Sequence, residues 1–260
     1  MIDFCLPSLY DGGIDLTRTL GRTLLKRSSR YSSRKASTLS VSFPRVLKLP
    51  VIPLFLQIIG LFILWALYRT FFQFPEWVDE IFVKAVVFGG PAFLYARRVM
   101  GGQDKLGLSV KNFWCGMYFG LFIGGLYGFV GVLRSLMHGV HIEPIPLFSS
   151  SAFWYQFFLA IMTAWWESLF FFGYIMNALK EEYRLPEVAS VIGAMLVFVV
   201  FHAPLRILLG GWSAVTFSQL AILGIFAVGQ SILFLRTRSI FSVTLSHALW
   251  GMVLLVYGVQ

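Results

Sequence analysis

From position 51 onward the chain is a succession of long apolar runs with short polar breaks. The runs lie near residues 51 to 72, 80 to 98, 113 to 135, 153 to 179, 188 to 203, 214 to 235 and 240 to 257. Most reach the roughly 20 residues that a helix rising about 1.5 Å per residue needs to cross hydrocarbon. The pattern therefore predicts an all-α, polytopic transmembrane bundle of about seven spans over 51 to 257. The fifth and seventh runs are short. Pro204, followed by the apolar stretch Leu205 to Leu209, predicts that the fifth continues past a kink, since a membrane helix tolerates the one backbone hydrogen bond that proline removes. The third run carries Gly116, Gly120, Gly124 and Gly128, a small residue every four positions, which predicts close approach of another helix.

Residues 1 to 50 are of another kind. Between Leu16 and Pro50 stand nine Lys or Arg, many Ser and no acidic residue. This reads as a disordered, basic Ser/Arg-rich cytoplasmic tail held near anionic lipid headgroups, with an organelle targeting peptide as the alternative. Composition agrees with a membrane protein: 58% of the 260 residues are hydrophobic, 13% are charged, and there are 27 Phe and 8 Trp. Such a chain cannot cover its surface with polar groups, which excludes an ordinary soluble domain. The formal charge of +9 would suit nucleic acid, but its basic residues gather in the tail and the breaks, so no nucleic-acid partner is expected. With the N-terminus inside, the tail and every second break hold 17 Lys or Arg, while the other side holds four, Arg69, Lys84, Arg134 and Arg206. That imbalance predicts a cytoplasmic N-terminus and a C-terminus on the opposite side. Cys5 and Cys115 then both fall near the reducing side, and no disulfide is expected.

Ionisable residues inside apolar runs are the candidates for chemistry. Glu167 lies near the middle of the fourth run, beside Trp165 and Trp166, where a charge costs on the order of 2.5 to 3.5 kcal/mol on insertion scales. His202 ends the fifth run and His247 lies within the seventh. Counted from the cytoplasmic ends, Glu167 and His202 lie roughly 18 to 22 Å deep and His247 about 10 to 14 Å, so the first two match in level and the third needs helix tilt. A glutamate and two imidazoles in an apolar cavity suit hydrolysis, the carboxylate taking a proton from water and the imidazoles orienting it or stabilising an oxyanion. The same three are also a zinc-ligand set. His138, His141 and Glu143 offer a second metal-like cluster, for which a solvent-exposed loop is the simpler reading, as it is for Glu181 and Glu182.

The order and spacing of these residues resemble the CPBP intramembrane endopeptidases, the Abi or type II CAAX prenyl protease-like family. That family carries Glu-Glu-x-x-x-Arg, then Phe-x-x-x-His, then His-x-x-x-Asn or Asp on successive core helices. Here the first motif reads Glu167-Ser168-Leu169-Phe170-Phe171-Phe172, with Gly173 following; the second runs from Phe198 to His202, and the third from His247 to Gly251. The resemblance covers about residues 150 to 257. Ser168, Phe172 and Gly251 depart from the pattern at the second Glu, the Arg and the final Asn. Losing the Glu and Arg together removes a potential buried ion pair without stranding either charge. Losing the Asn removes a donor, for which Thr244, Gln219 and Gln230 are candidate substitutes.

The resemblance implies an intramembrane endopeptidase that hydrolyses a peptide bond of a membrane-associated peptide or protein substrate. Glu167 and His202 would activate water and His247 would donate to the oxyanion. It implies no obligatory cofactor, with zinc on Glu167, His202 and His247 as the metal-dependent alternative. Two other functions stay open: a catalytically impaired member acting as a membrane scaffold or immunity-type protein, and a transporter or proton relay built on the same carboxylate.

Overall fold

A computed structural model of the chain describes residues 54–72, 74–100, 103–110, 113–137 and 151–256. The basic tail, with its expected disorder and lipid contact, and the cluster of His138, His141 and Glu143 lie outside the described residues. Seven helical segments follow one another, with no strand among the described residues. They are α1 (Leu54–Phe71), α2 (residues 76–100), α3 (Phe113–Met137), α4 (Ala152–Glu182), α5 (Glu187–Gly210), α6 (Ala214–Thr237) and α7 (Ile240–Val256). A short 3₁₀ turn, Gln103–Leu106, links α2 to α3.

Five of these, α1, α3, α4, α5 and α6, are long and apolar enough to cross a membrane, and α7 is apolar but shorter. Their outward faces carry side chains such as Phe55, Phe122 and Leu209, 70%, 68% and 77% exposed, a surface that is stable against hydrocarbon and not against water. α5 runs through Pro204 to Gly210, so the fifth run does continue. α2 is helical throughout but mixes α-helical turns at Glu76–Val78 and Gly90–Tyr95 with wider π-helical turns at Asp79–Val83, Ala85–Gly89 and Ala96–Met100. Its charged ends make it the least apolar of the seven.

Contacts fix the relative direction of the helices. Trp65 of α1 packs on Phe88 of α2, and Tyr68 donates a hydrogen bond to Asp79, so the two are antiparallel. α2 and α4 run the same way: Gln156 meets Glu76, Thr163 meets Glu80, and Phe88 packs on Phe170. On α3, a Cβ built at Gly116 would come within 2.5 Å of Ser239, just before α7, one at Gly120 within 2.5 Å of Ser242 of α7, and one at Gly124 within 2.8 Å of Leu249. The glycine stripe is thus the seat of α7, which runs parallel to α3. α4 is antiparallel to α7, through Gly173 against Ile240 and Trp165 against Phe241, and to α5, through Leu179 against Gly193 and Phe172 against Phe198. Odd-numbered helices therefore run one way and even-numbered helices the other, as successive crossings require.

The core gathers where α4 meets its neighbours. From Leu169 to Met176 every residue of α4 is buried, and this stretch is π-helical. Phe170, Phe171 and Phe172 pack among Phe88, Phe198 and Phe201. Rings set edge-on or tilted at 5 to 6 Å are the favourable arrangement. Cys115, in the first turns of α3, is disulfide-bonded, which corrects the expectation of reduced thiols.

Candidate active site

Glu167 sits where α4 passes from α-helical to π-helical winding, and it is 6% exposed. Its Oε2 lies 3.6 Å from Nε2 of His202 on α5 and 3.6 Å from Nε2 of His247 on α7. Three helices thus bring together the three ionisable groups that stand out in their apolar runs. The shallower His247 reaches the same oxygen as His202. At 3.6 Å neither contact is a direct hydrogen bond. The imidazoles surround Oε2 without tying it up.

The second motif has a local reason. Phe198, one helical turn before His202, accepts a hydrogen bond at its carbonyl oxygen from the His202 ring Nδ1, at 2.8 Å. The Phe198 ring lies 4.2 Å from the His202 ring and 6.1 Å from the His247 ring, centre to centre. One residue therefore fixes the rotation of one imidazole and forms an apolar wall for both. With Nδ1 donating to the carbonyl, neutral His202 presents the Nε2 lone pair to the site. Phe226 of α6 packs edge-on against His247 at 5.0 Å. Nδ1 of His247 is buried without a hydrogen-bond partner, which favours the tautomer with its proton on Nε2, facing the carboxylate.

The other oxygen of Glu167 has a partner that sequence reasoning missed. Nζ of Lys84, on α2, lies 2.7 Å from Oε1 and also 2.6 Å from Oε2 of Glu80, and the lysine is 5% exposed. Thr163 of α4 donates a hydrogen bond to the same oxygen of Glu80. Its place in the sequence suggests a boundary cation, but Lys84 is buried against Glu167. The missed signal was the four-residue spacing of Glu80 and Lys84 at the start of an apolar run, where an ion pair is otherwise costly.

The positions that depart from the family pattern are filled as follows. Ser168 is fully buried and its hydroxyl has no hydrogen-bond partner. Phe172 is fully buried against Phe198. A Cβ built at Gly251 would meet nothing within 4 Å, so the place of the missing side chain stands open. Of the candidate substitutes, Gln230 spends its amide N–H on Ser246, one residue before His247. Thr244 is buried with an unpartnered hydroxyl, and Gln219 is half-buried on α6. Glu182 accepts a hydrogen bond from Tyr95 at 2.6 Å on an exposed helix end, and Glu181 is exposed.

Among the described residues no group of three His, Cys, Asp or Glu is arranged to hold a metal ion. A lysine ammonium against Glu167 would also repel a dication.

These features define a polytopic membrane protein with a carboxylate and two imidazoles gathered inside its helices. A family model described as Rce1-like, type II CAAX prenyl endopeptidase Rce1-like, matches residues 149–253. That segment covers α4, α5, α6 and most of α7 and contains all three motifs, and over it the chain is similar to the CAAX-protease-like (CPBP) family of membrane endopeptidases. No curated protein and no solved structure matches the chain.

Proposed function

We propose that the protein is an intramembrane endopeptidase in which Glu167 is the general base, His202 orients the water and His247 stabilises the oxyanion. The observation that carries this reading is the placement of both Nε2 atoms 3.6 Å from Glu167 Oε2. A water at this point donates one hydrogen to Oε2 and the other to the Nε2 lone pair of His202. As its oxygen attacks the scissile carbonyl, its proton passes to Oε2, and the carbonyl oxygen takes the negative charge and accepts a hydrogen bond from Nε2 of His247. The C–N bond then breaks, and the proton on Glu167 moves to the leaving nitrogen, which restores the carboxylate. The step uses no metal. The substrate is a membrane-delivered peptide segment, and the N-terminal tail faces the cytoplasm.

The test uses the full chain in proteoliposomes and two quenched-fluorescence peptides ending in a Cys-aliphatic-aliphatic-X sequence, one farnesylated and one not. Wild type cleaves at least one of them, and Glu167→Gln lowers the rate by about 10² to 10⁴, the worth of a positioned general base. Equal rates would remove Glu167 from the mechanism. The open place at Gly251 favours a second reading, a member of the same fold that has lost catalysis and works as a scaffold. Full biological function of Glu167→Gln in cells would select it.

A further inference from the structure

We propose that Glu80 and Lys84 of α2 supply the buried ion pair of this site, and that Lys84 is a positioning residue pinning one oxygen of Glu167 so that the other faces the two imidazoles. The inference rests on the catalytic reading above for its functional consequence, but not for the pairing itself.

The first motif of the family places its second Glu and its Arg four residues apart. Positions 168 and 172 hold Ser and Phe here, both fully buried, so α4 offers neither charge. Glu80-Ile81-Phe82-Val83-Lys84 has the same spacing, acid first and base four later, on the helix that runs parallel to α4. The register is tight around it. Thr163 holds Glu80, and nine residues further along α2 a Cβ at Gly89 would sit 2.7 Å from the Trp166 ring. Gly89 therefore leaves room for the ring of Trp166, the residue before Glu167, between the two helices.

The geometry gives the pair a task. A carboxylate turns easily about its last torsion, and both of its oxygens are equivalent until something distinguishes them. The ammonium at 2.7 Å from Oε1 does so, and it leaves Oε2 to the imidazoles. Lys84 does not itself face the water. Glu80 balances the lysine, because a cation shared by two carboxylates is held at one point between them.

The experiment has two arms, both on the full chain in lipid nanodiscs. The first needs no substrate: thermal unfolding of wild type, Lys84→Met, Glu167→Gln and the double variant. A paired Lys84 and Glu167 give non-additive shifts, the double variant melting well above the sum of the single losses. Additive shifts would overturn the pairing. The second arm measures cleavage of the farnesylated peptide. Lys84→Met lowers kcat by about 10², the loss expected of a misplaced catalytic group, with KM changed less than about twofold. Because that variant leaves Glu80 unpaired in the core, Glu80→Gln with Lys84→Met is made as well. It recovers the melting temperature but not kcat, whereas Lys84→Arg retains a rate above Lys84→Met. Recovery of kcat together with stability would mean that Lys84 only relieves buried charge, and the positioning role falls. A wild type that cleaves neither peptide while the thermal coupling persists would sink the protease reading and leave the pair standing.

Discussion

At the scale of the residue, the site shows how a carboxylate is tolerated among phenylalanines. Glu167 is surrounded by an ammonium on one oxygen and two ring nitrogens near the other, all drawn from different helices. Removing any one partner of such a buried cluster costs more than the partner's own interaction, because the remaining charge stays dehydrated. Gly251 is the converse case, a position that lost its side chain and kept the space. Since a Cβ there meets nothing within 4 Å, Gly251→Asn fits without displacing a neighbour. It restores an amide donor one helical turn after His247, and we expect kcat on the farnesylated peptide to rise by about tenfold or more, given what one oxyanion donor contributes. An unchanged rate would show that the substrate's oxyanion is not stabilised from this side. Glu167, His202 and His247 were legible in the sequence as candidates because an ionisable residue inside an apolar run is costly to place there. Lys84 was not. It lies near the start of its run, where a positive charge ordinarily belongs to the membrane boundary, and only the contact with α4 reveals that it turns inward.

At the scale of the element, each helix shows how its sequence sets its neighbours. The glycines of α3 remove side chains wherever α7 passes, and they are met by Ser239, just before α7, and by Ser242 and Ser246 within it, themselves small and fully buried. Gly120→Val forces a side chain against the backbone of Ser242, and we expect a destabilisation of about 1 to 3 kcal/mol, as for other overpacked contacts, read as a lowered melting temperature in detergent. The contrast is Gly60→Ala on α1. There a Cβ meets nothing within 4 Å, and the helix gains about 0.5 to 1 kcal/mol from the lost backbone freedom. If both variants melt alike, the stripe is not what seats α7. The glycine spacing was readable because period four is a helical period, whereas the partner helix was not, since nothing in a run of small residues states which neighbour it will meet. The winding of α4 was also hidden. Its π-helical stretch follows directly after Ser168, and no residue there is a glycine or proline that would announce it, apart from Gly173 well inside.

At the scale of the whole molecule, the alternating helix directions follow from side-chain contacts alone, and the charge imbalance is the ground for proposing the sign that those contacts lack. With Lys84 buried, only Arg69, Arg134 and Arg206 remain on the sparse side, and Arg69 is bonded to Asp79. We therefore expect Lys105→Cys, between α2 and α3, and Trp212→Cys, between α5 and α6, to react with a membrane-impermeant thiol reagent from opposite faces of a sealed vesicle, Lys105→Cys from the cytoplasmic one. The variants are made in a background with Ser at positions 5 and 115. Labelling of both from one face would break the alternation. The number of helices and their order were legible from hydropathy, since hydrocarbon imposes a minimum length on anything that crosses it. That α2 joins α5 and α7 around the carboxylate was not, because apolar surfaces that all favour lipid equally carry little information about mutual choice.

The position of α2 bears on how the protein can be cut and recombined. The recognisable part of the chain begins at residue 149, yet the ammonium that meets Glu167 is contributed from 83 positions upstream. Any fragment, chimera or homology-guided graft that starts at the recognisable border would inherit the acid and the imidazoles but leave their counterion behind. The smallest portable unit is therefore two stretches of sequence rather than one.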